Sequence, residues 1–118
     1  LISVYNGNKF EVQHQRAYLT RIRKHFVDLY IWDNFGNRLF HVNNYNECDT
    51  IFFVFDLTNP NSFDNIKKWY NTVNRINKCP YTVLVGTKSD LVKNGHIYIS
   101  DDQINSLCKF LKAKYYQV

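Results

Sequence analysis

Ile51-Phe52-Phe53-Val54-Phe55-Asp56 is an unbroken apolar run that closes on an acid. A continuous run, unlike an alternating one, fits a strand covered on both faces, as in parallel sheets. Thr82-Val83-Leu84-Val85, ending at Gly86, reads the same way. Between the two runs, Phe63, Ile66, Tyr70 and Val73 recur at helical spacing, while Lys67, Lys68 and Asn71 fall elsewhere on the wheel. Ser62 is the expected N-cap of this helix, and Pro60 and Pro80 sit at the boundaries of the periodic segments. A second helix is expected from about Asp101, with Ile104, Leu107, Cys108 and Leu111 as its apolar stripe. Lys109, Lys112 and Lys114 would then crowd its last turn, at the negative end of the helix dipole. Tyr115-Tyr116-Gln117-Val118 reads as the start of a further strand. Upstream, residues 26–32 alternate, with Val27, Leu29 and Ile31 on one face. Ala17 to Ile22 is their expected antiparallel partner, turning through Arg23-Lys24-His25.

Strands alternating with helices imply right-handed crossovers and an α/β fold: an open, mostly parallel sheet with helices on both faces. Ligands of such sheets bind beyond the carboxyl ends of the strands. The residues expected on that rim are Asp33, Asp56 and Thr87-Lys88-Ser89-Asp90.

The totals are consistent with one folded unit. The chain has 118 residues, 45% hydrophobic and 17% aromatic, which excludes wholesale disorder. No apolar run approaches the roughly 20 residues of a membrane span, and Leu1-Ile2-Ser3-Val4 passes at once into polar residues, unlike a signal peptide. Cys48, Cys79 and Cys108 have neither zinc nor disulfide spacing, and an odd count suits a reducing compartment. Net charge is +5, but the basic residues are scattered, so a soluble basic surface is expected and no nucleic-acid partner. His14, His25, His41 and His96 show no metal spacing. The chain opens on Leu1 and contains no Met, which reads as a processed chain or an excerpt.

Two short motifs carry chemistry. In Asp33-Asn34-Phe35-Gly36-Asn37, a strand-terminal carboxylate suits Mg²⁺, held through water, and Gly36 lets a backbone N–H approach a phosphate. In Thr87-Lys88-Ser89-Asp90, a strand-end carboxylate suits the N1–H and N2–H₂ edge of guanine, a donor pair that adenine lacks. The lysine stem can lie along a base. Either motif alone also occurs as a plain turn.

Taken in order, Leu29-Tyr30-Ile31-Trp32-Asp33, Asp49 through Thr58, Asn61 through Trp69 and Val83 through Asp90 resemble a Ras-superfamily small GTPase. The resemblance covers nearly all of 1–118, read as a partial G domain of Rab-like or septation-signalling type. The latter type shares Thr at the position of Thr87. The resemblance implies a cytoplasmic signal-transduction switch, with peripheral attachment to a membrane left open, that binds GTP and GDP with Mg²⁺ and meets effector and regulatory proteins. It assigns Asp33 to Mg²⁺, Gly36 to the γ-phosphate, and Thr87, Lys88 and Asp90 to the base. Asn37 falls on the family's water-positioning Gln, one methylene shorter, so slow hydrolysis is expected. The Mg²⁺-ligating Thr of the family falls near Ala17, with Thr20 as the rival position.

Further departures from the family open a rival reading. No G-x-x-x-x-G-K-[S/T] occurs; the only glycines are Gly7, Gly36, Gly86 and Gly95. That loop and its strand would precede Leu1, and the last base-contacting motif would follow Val118. Without that strand these 118 residues are expected neither to fold autonomously nor to turn over nucleotide. The rival is a pseudo-GTPase acting as a protein-interaction module.

Overall fold

The computed structural model describes residues 15–22, 25–32, 48–76, 81–92 and 98–118. The chain falls into two units, Leu1–Phe40 and His41–Val118.

In the first unit β1 (Gln15–Ile22) and β2 (His25–Trp32) form an antiparallel pair, in register from Gln15 opposite Trp32 to Ile22 opposite His25. This is the hairpin expected from the alternation, with His25 drawn from the turn into the ladder. Ala17 stands opposite Tyr30 and Thr20 opposite Val27, so both lie inside a strand.

In the second unit the order is β3 (Thr50–Asp56), α1 (Pro60–Ile76), β4 (Tyr81–Thr87), α2 (Ser89–Val92), α3 (Asp101–Leu111) and β5 (Lys114–Gln117). The three strands form a parallel sheet in the order β3-β4-β5. The apolar runs behave as their continuity suggests. Register sets Phe53 beside Leu84 and Leu84 beside Tyr115, on the face that also carries Phe55 and Gly86. Against that face α1 lays Phe63 and Ile66, and α3 lays Ile104, Leu107 and Leu111. Ile66 and Leu84 are wholly removed from water, each worth roughly 1.5–3 kcal/mol of transfer free energy.

Aromatic edges lock the layers together. Phe55 meets Phe63 at 5.1 Å and 68°, and Phe53 meets Tyr70 at 6.1 Å. Tyr70 in turn meets Phe110 at 5.5 Å, which ties α1 to α3. Both long helices therefore share one face of the sheet. The other face is mixed: Val83 is buried, whereas Phe52 and Tyr116 are half exposed. The expected open parallel α/β architecture is present, with the described long helices on one side of this sheet.

Two local expectations are corrected. Ser62 is not an N-cap, because α1 starts two residues earlier, at Pro60, whose fixed φ and missing N–H suit a first helical position. Asn59 does the capping: its Oδ1 accepts from the Asn61 N–H at 3.1 Å. At the other end of the unit α3 stops at Leu111, so of the three lysines only Lys109 lies in its last turn. Lys112 turns left-handed (φ 53°), and the Ala113 N–H reaches back to the Cys108 carbonyl at 3.0 Å. Lys114 already belongs to β5. α3 starts at Asp101, as expected; the structure adds Ser100 as its N-cap and a capping box closed by Gln103.

Candidate functional site at the carboxyl edge of the sheet

The strands of the second unit run parallel, so the ends of β3 and β4 lie side by side, Asp56 in register with Thr87. Their last polar residues are cross-linked. The Thr87 Oγ1 hydroxyl donates to the Phe55 carbonyl at 3.0 Å, bridging the two strands. One residue further on, the Lys88 Nζ ammonium donates to Asp56 Oδ2 at 2.6 Å. Lys88 achieves this from a left-handed backbone (φ 62°), a region that non-glycine residues enter at some cost.

Asp56 is itself held from behind. Its Oδ1 accepts from the Thr58 N–H at 2.8 Å and from the Thr58 hydroxyl at 2.7 Å. Its backbone N–H donates to Ser62 Oγ at 3.0 Å, while the same hydroxyl donates to the Asn59 carbonyl at 2.7 Å. Thus Ser62 ends the outer edge of β3 and ties it to the first turn of α1. Partial burial alone would raise the pKa of Asp56, but the bonds from Lys88 and Thr58 outweigh it and hold the carboxyl below its ordinary value.

After Lys88 the chain enters α2, whose Ser89 N–H donates to the Val118 carbonyl at 3.1 Å. Asp90 follows in the first turn. It is exposed, and among the described residues its carboxylate has no hydrogen-bond or ion-pair partner. Such an acceptor, set beside an anchored lysine stem, is suited to a planar ligand that offers two adjacent N–H donors.

The close approach of β5 shapes this rim from below. A Cβ on Gly86 would lie 2.7 Å from the Tyr115 hydroxyl and 3.2 Å from Leu57, so any larger residue there would have to push the tyrosine aside. The Tyr115 hydroxyl is buried with no hydrogen-bond partner among the described residues, and desolvation, followed by the charges of Asp101 and Cys108, raises its pKa.

The structure therefore brings together Thr87, Lys88 and Asp90, as the sequence suggests. Asp33, Gly36 and Asn37 lie outside the described residues. Among the described residues no group of three or more His, Cys, Asp or Glu side chains is placed to hold a metal ion. No described helix is long and apolar enough to cross a membrane. Sequence reasoning set Asp56 on the rim but gave it no partner. The available signal was Asp56-Leu57-Thr58, an acid at a strand end followed two residues later by a hydroxyl, which is the pattern of a side chain bonding to the turn ahead of it.

Comparison with known proteins adds to this geometry. A model of the Ras family matches residues 2–118. The Ras-related protein RabF1 of Dictyostelium discoideum is 35% identical over 69 residues, 56% of this chain and 36% of that protein. The Rho-related GTP-binding protein RhoD of Homo sapiens is 41% identical over 73 residues, 58% of this chain and 34% of that protein. The Ras-related protein RabY of Dictyostelium discoideum is 33% identical over 100 residues, 75% of this chain and 39% of that protein. The chain thus spans little more than a third of the length of the curated relatives it matches.

Proposed function

The chain belongs to the Ras family, and we propose that it is the base-recognising part of a guanine-nucleotide switch, a partial G domain. The observation that carries the reading is the exposed carboxylate of Asp90, without a hydrogen-bond or ion-pair partner among the described residues, beside the tethered Lys88. Asp90 accepts the N1–H and N2–H₂ of guanine, and the Lys88 stem lies along the base. Thr87 keeps the loop in place by spanning β3 and β4. Adenine presents no such donor pair and leaves Asp90 desolvated without compensation.

Asp33, which follows Trp32 in the sequence, would support Mg²⁺, and Gly36 would admit a γ-phosphate oxygen to its backbone N–H. A Mg²⁺ ion held there would supply positive charge to offset the negative charge that develops on the phosphates. The switch would act through effector and regulatory proteins that read its nucleotide state. The names of RabF1, RhoD and RabY support the class.

The test is a fluorescent GDP titration of the full-length protein. Binding at micromolar nucleotide or tighter is expected, and Asp90→Ala should weaken GDP at least tenfold, about 1.4 kcal/mol, while leaving ADP unchanged. Absence of GDP binding would remove the reading.

One residue favours a second reading, a nucleotide-binding or nucleotide-free scaffold that does not turn over. Asn37 is one methylene too short to hold a water where the family's Gln does. If Asn37 alone limits the rate, Asn37→Gln raises single-turnover GTP hydrolysis by at least about tenfold. A flat response, with GDP binding intact, favours the scaffold.

A further inference from the structure

We propose that Asp56 is a positioning residue for the base site: it fixes Lys88 so that the lysine stem is laid out before the ligand arrives. The inference deepens the guanine reading and rests on it, because the stem matters only if a base packs along it.

Lys88 is the residue that needs holding. Its backbone is left-handed and its side chain is 54% exposed. An exposed lysine with four rotatable bonds ordinarily samples many rotamers, and ordering it on binding lowers affinity. Here the ammonium is tied at 2.6 Å to a carboxylate 32 positions earlier in the chain, on the neighbouring strand. The methylenes must therefore cross from the end of β4 to the end of β3 instead of extending into water. That makes a short apolar strip at the strand ends, two residues from the exposed carboxylate of Asp90.

Asp56 is built for holding, not for binding ligand. Both of its carboxylate oxygens are engaged, Oδ2 by Lys88 and Oδ1 twice by Thr58. Its backbone is fixed by Ser62 on α1. The division of labour is clear: Asp90 chooses the base, Lys88 lines it, and Asp56, with Thr58 behind it, orients Lys88.

The pair is partly solvated, so its contribution is modest and the expected effect on binding is about fivefold. The test is a double-mutant cycle on the full-length protein, read by fluorescent GDP titration. Asp56→Asn and Lys88→Met should each weaken GDP about fivefold. The double variant should bind no more weakly than Lys88→Met alone, because Asp56 acts through the ammonium that this variant has already lost. The ratio of GDP to IDP affinity, set by Asp90, should be unchanged in Asp56→Asn. A purely structural role predicts otherwise: losses that multiply, and a changed GDP to IDP ratio as the loop loosens. If the unsubstituted protein binds GDP and Asp56→Asn binds it equally well, or the two losses multiply, the inference is overturned and the guanine reading stands. If the unsubstituted protein binds no GDP, the reading itself fails and this inference with it.

Discussion

At the scale of single residues, the sharpest constraint lies between Gly86 and Tyr115. Among the described residues the buried tyrosine hydroxyl has no partner, and it occupies the space that any side chain at position 86 would need. Gly86→Ala should cost about 1–3 kcal/mol through overpacking. Tyr115→Phe should gain about 1 kcal/mol by removing an unsatisfied buried hydroxyl. Combined, they should be less damaging than the sum, since the oxygen that blocks the new methyl group is gone; urea unfolding of the four proteins checks this. Asp56 makes a second prediction. Its folded pKa lies below the ordinary 3.8, so its contribution is complete above that value and is lost as pH falls below it through the depressed folded pKa. Asp56→Asn should therefore flatten the acid limb of stability against pH below about 4, and a pH series of thermal melts would show it. Neither constraint could be seen in the sequence. Gly86 and Tyr115 read as a run terminator and a strand start, because an orphaned hydroxyl arises only when two strands meet.

At the scale of elements, apolar periodicity was a reliable guide and end chemistry was not. Phe63, Ile66 and Val73 mark α1, and Ile104, Leu107 and Leu111 mark α3, because burial of one stripe decides a helix. The ends are decided by competing local bonds. Ser62 has the right chemistry for a cap, yet Pro60 already supplies a favourable first position and Asn59 the side-chain acceptor. The displaced serine serves the edge of β3 instead. At α3 the two ends make opposite predictions. Ser100→Ala removes a complete capping box and should cost about 1 kcal/mol. Lys112→Gly relieves a left-handed lysine and should gain about 0.4–1 kcal/mol. Thermal unfolding of the two variants should shift in opposite directions. Of the candidate site, Thr87, Lys88 and Asp90 were legible because they are contiguous. Asp56 was not legible as their support, because its link to Lys88 exists only once β3 and β4 are parallel neighbours.

At the scale of the whole molecule, the described sheet is unequal in its two faces, and the difference is measurable. Leu84 lies wholly buried between the sheet and both long helices, so Leu84→Ala should cost about 2–5 kcal/mol. Phe52, half exposed on the other face, should cost markedly less when cut to alanine, and denaturant midpoints of the two variants give the comparison. The same sheet also governs time. Every pairing of β3 with β4, and of β4 with β5, joins residues 31 positions apart, and among the described residues of the unit no turn brings two strands together locally. Its helices can form from neighbours, but its strands must find one another across long loops. In the full-length protein, pairing of these strands is therefore expected in milliseconds to seconds, not microseconds. Throughout that interval Ile51-Phe52-Phe53-Val54-Phe55 is an uncharged, proline-free strand without its mate, and a newly made chain is at its most adhesive until β4 arrives.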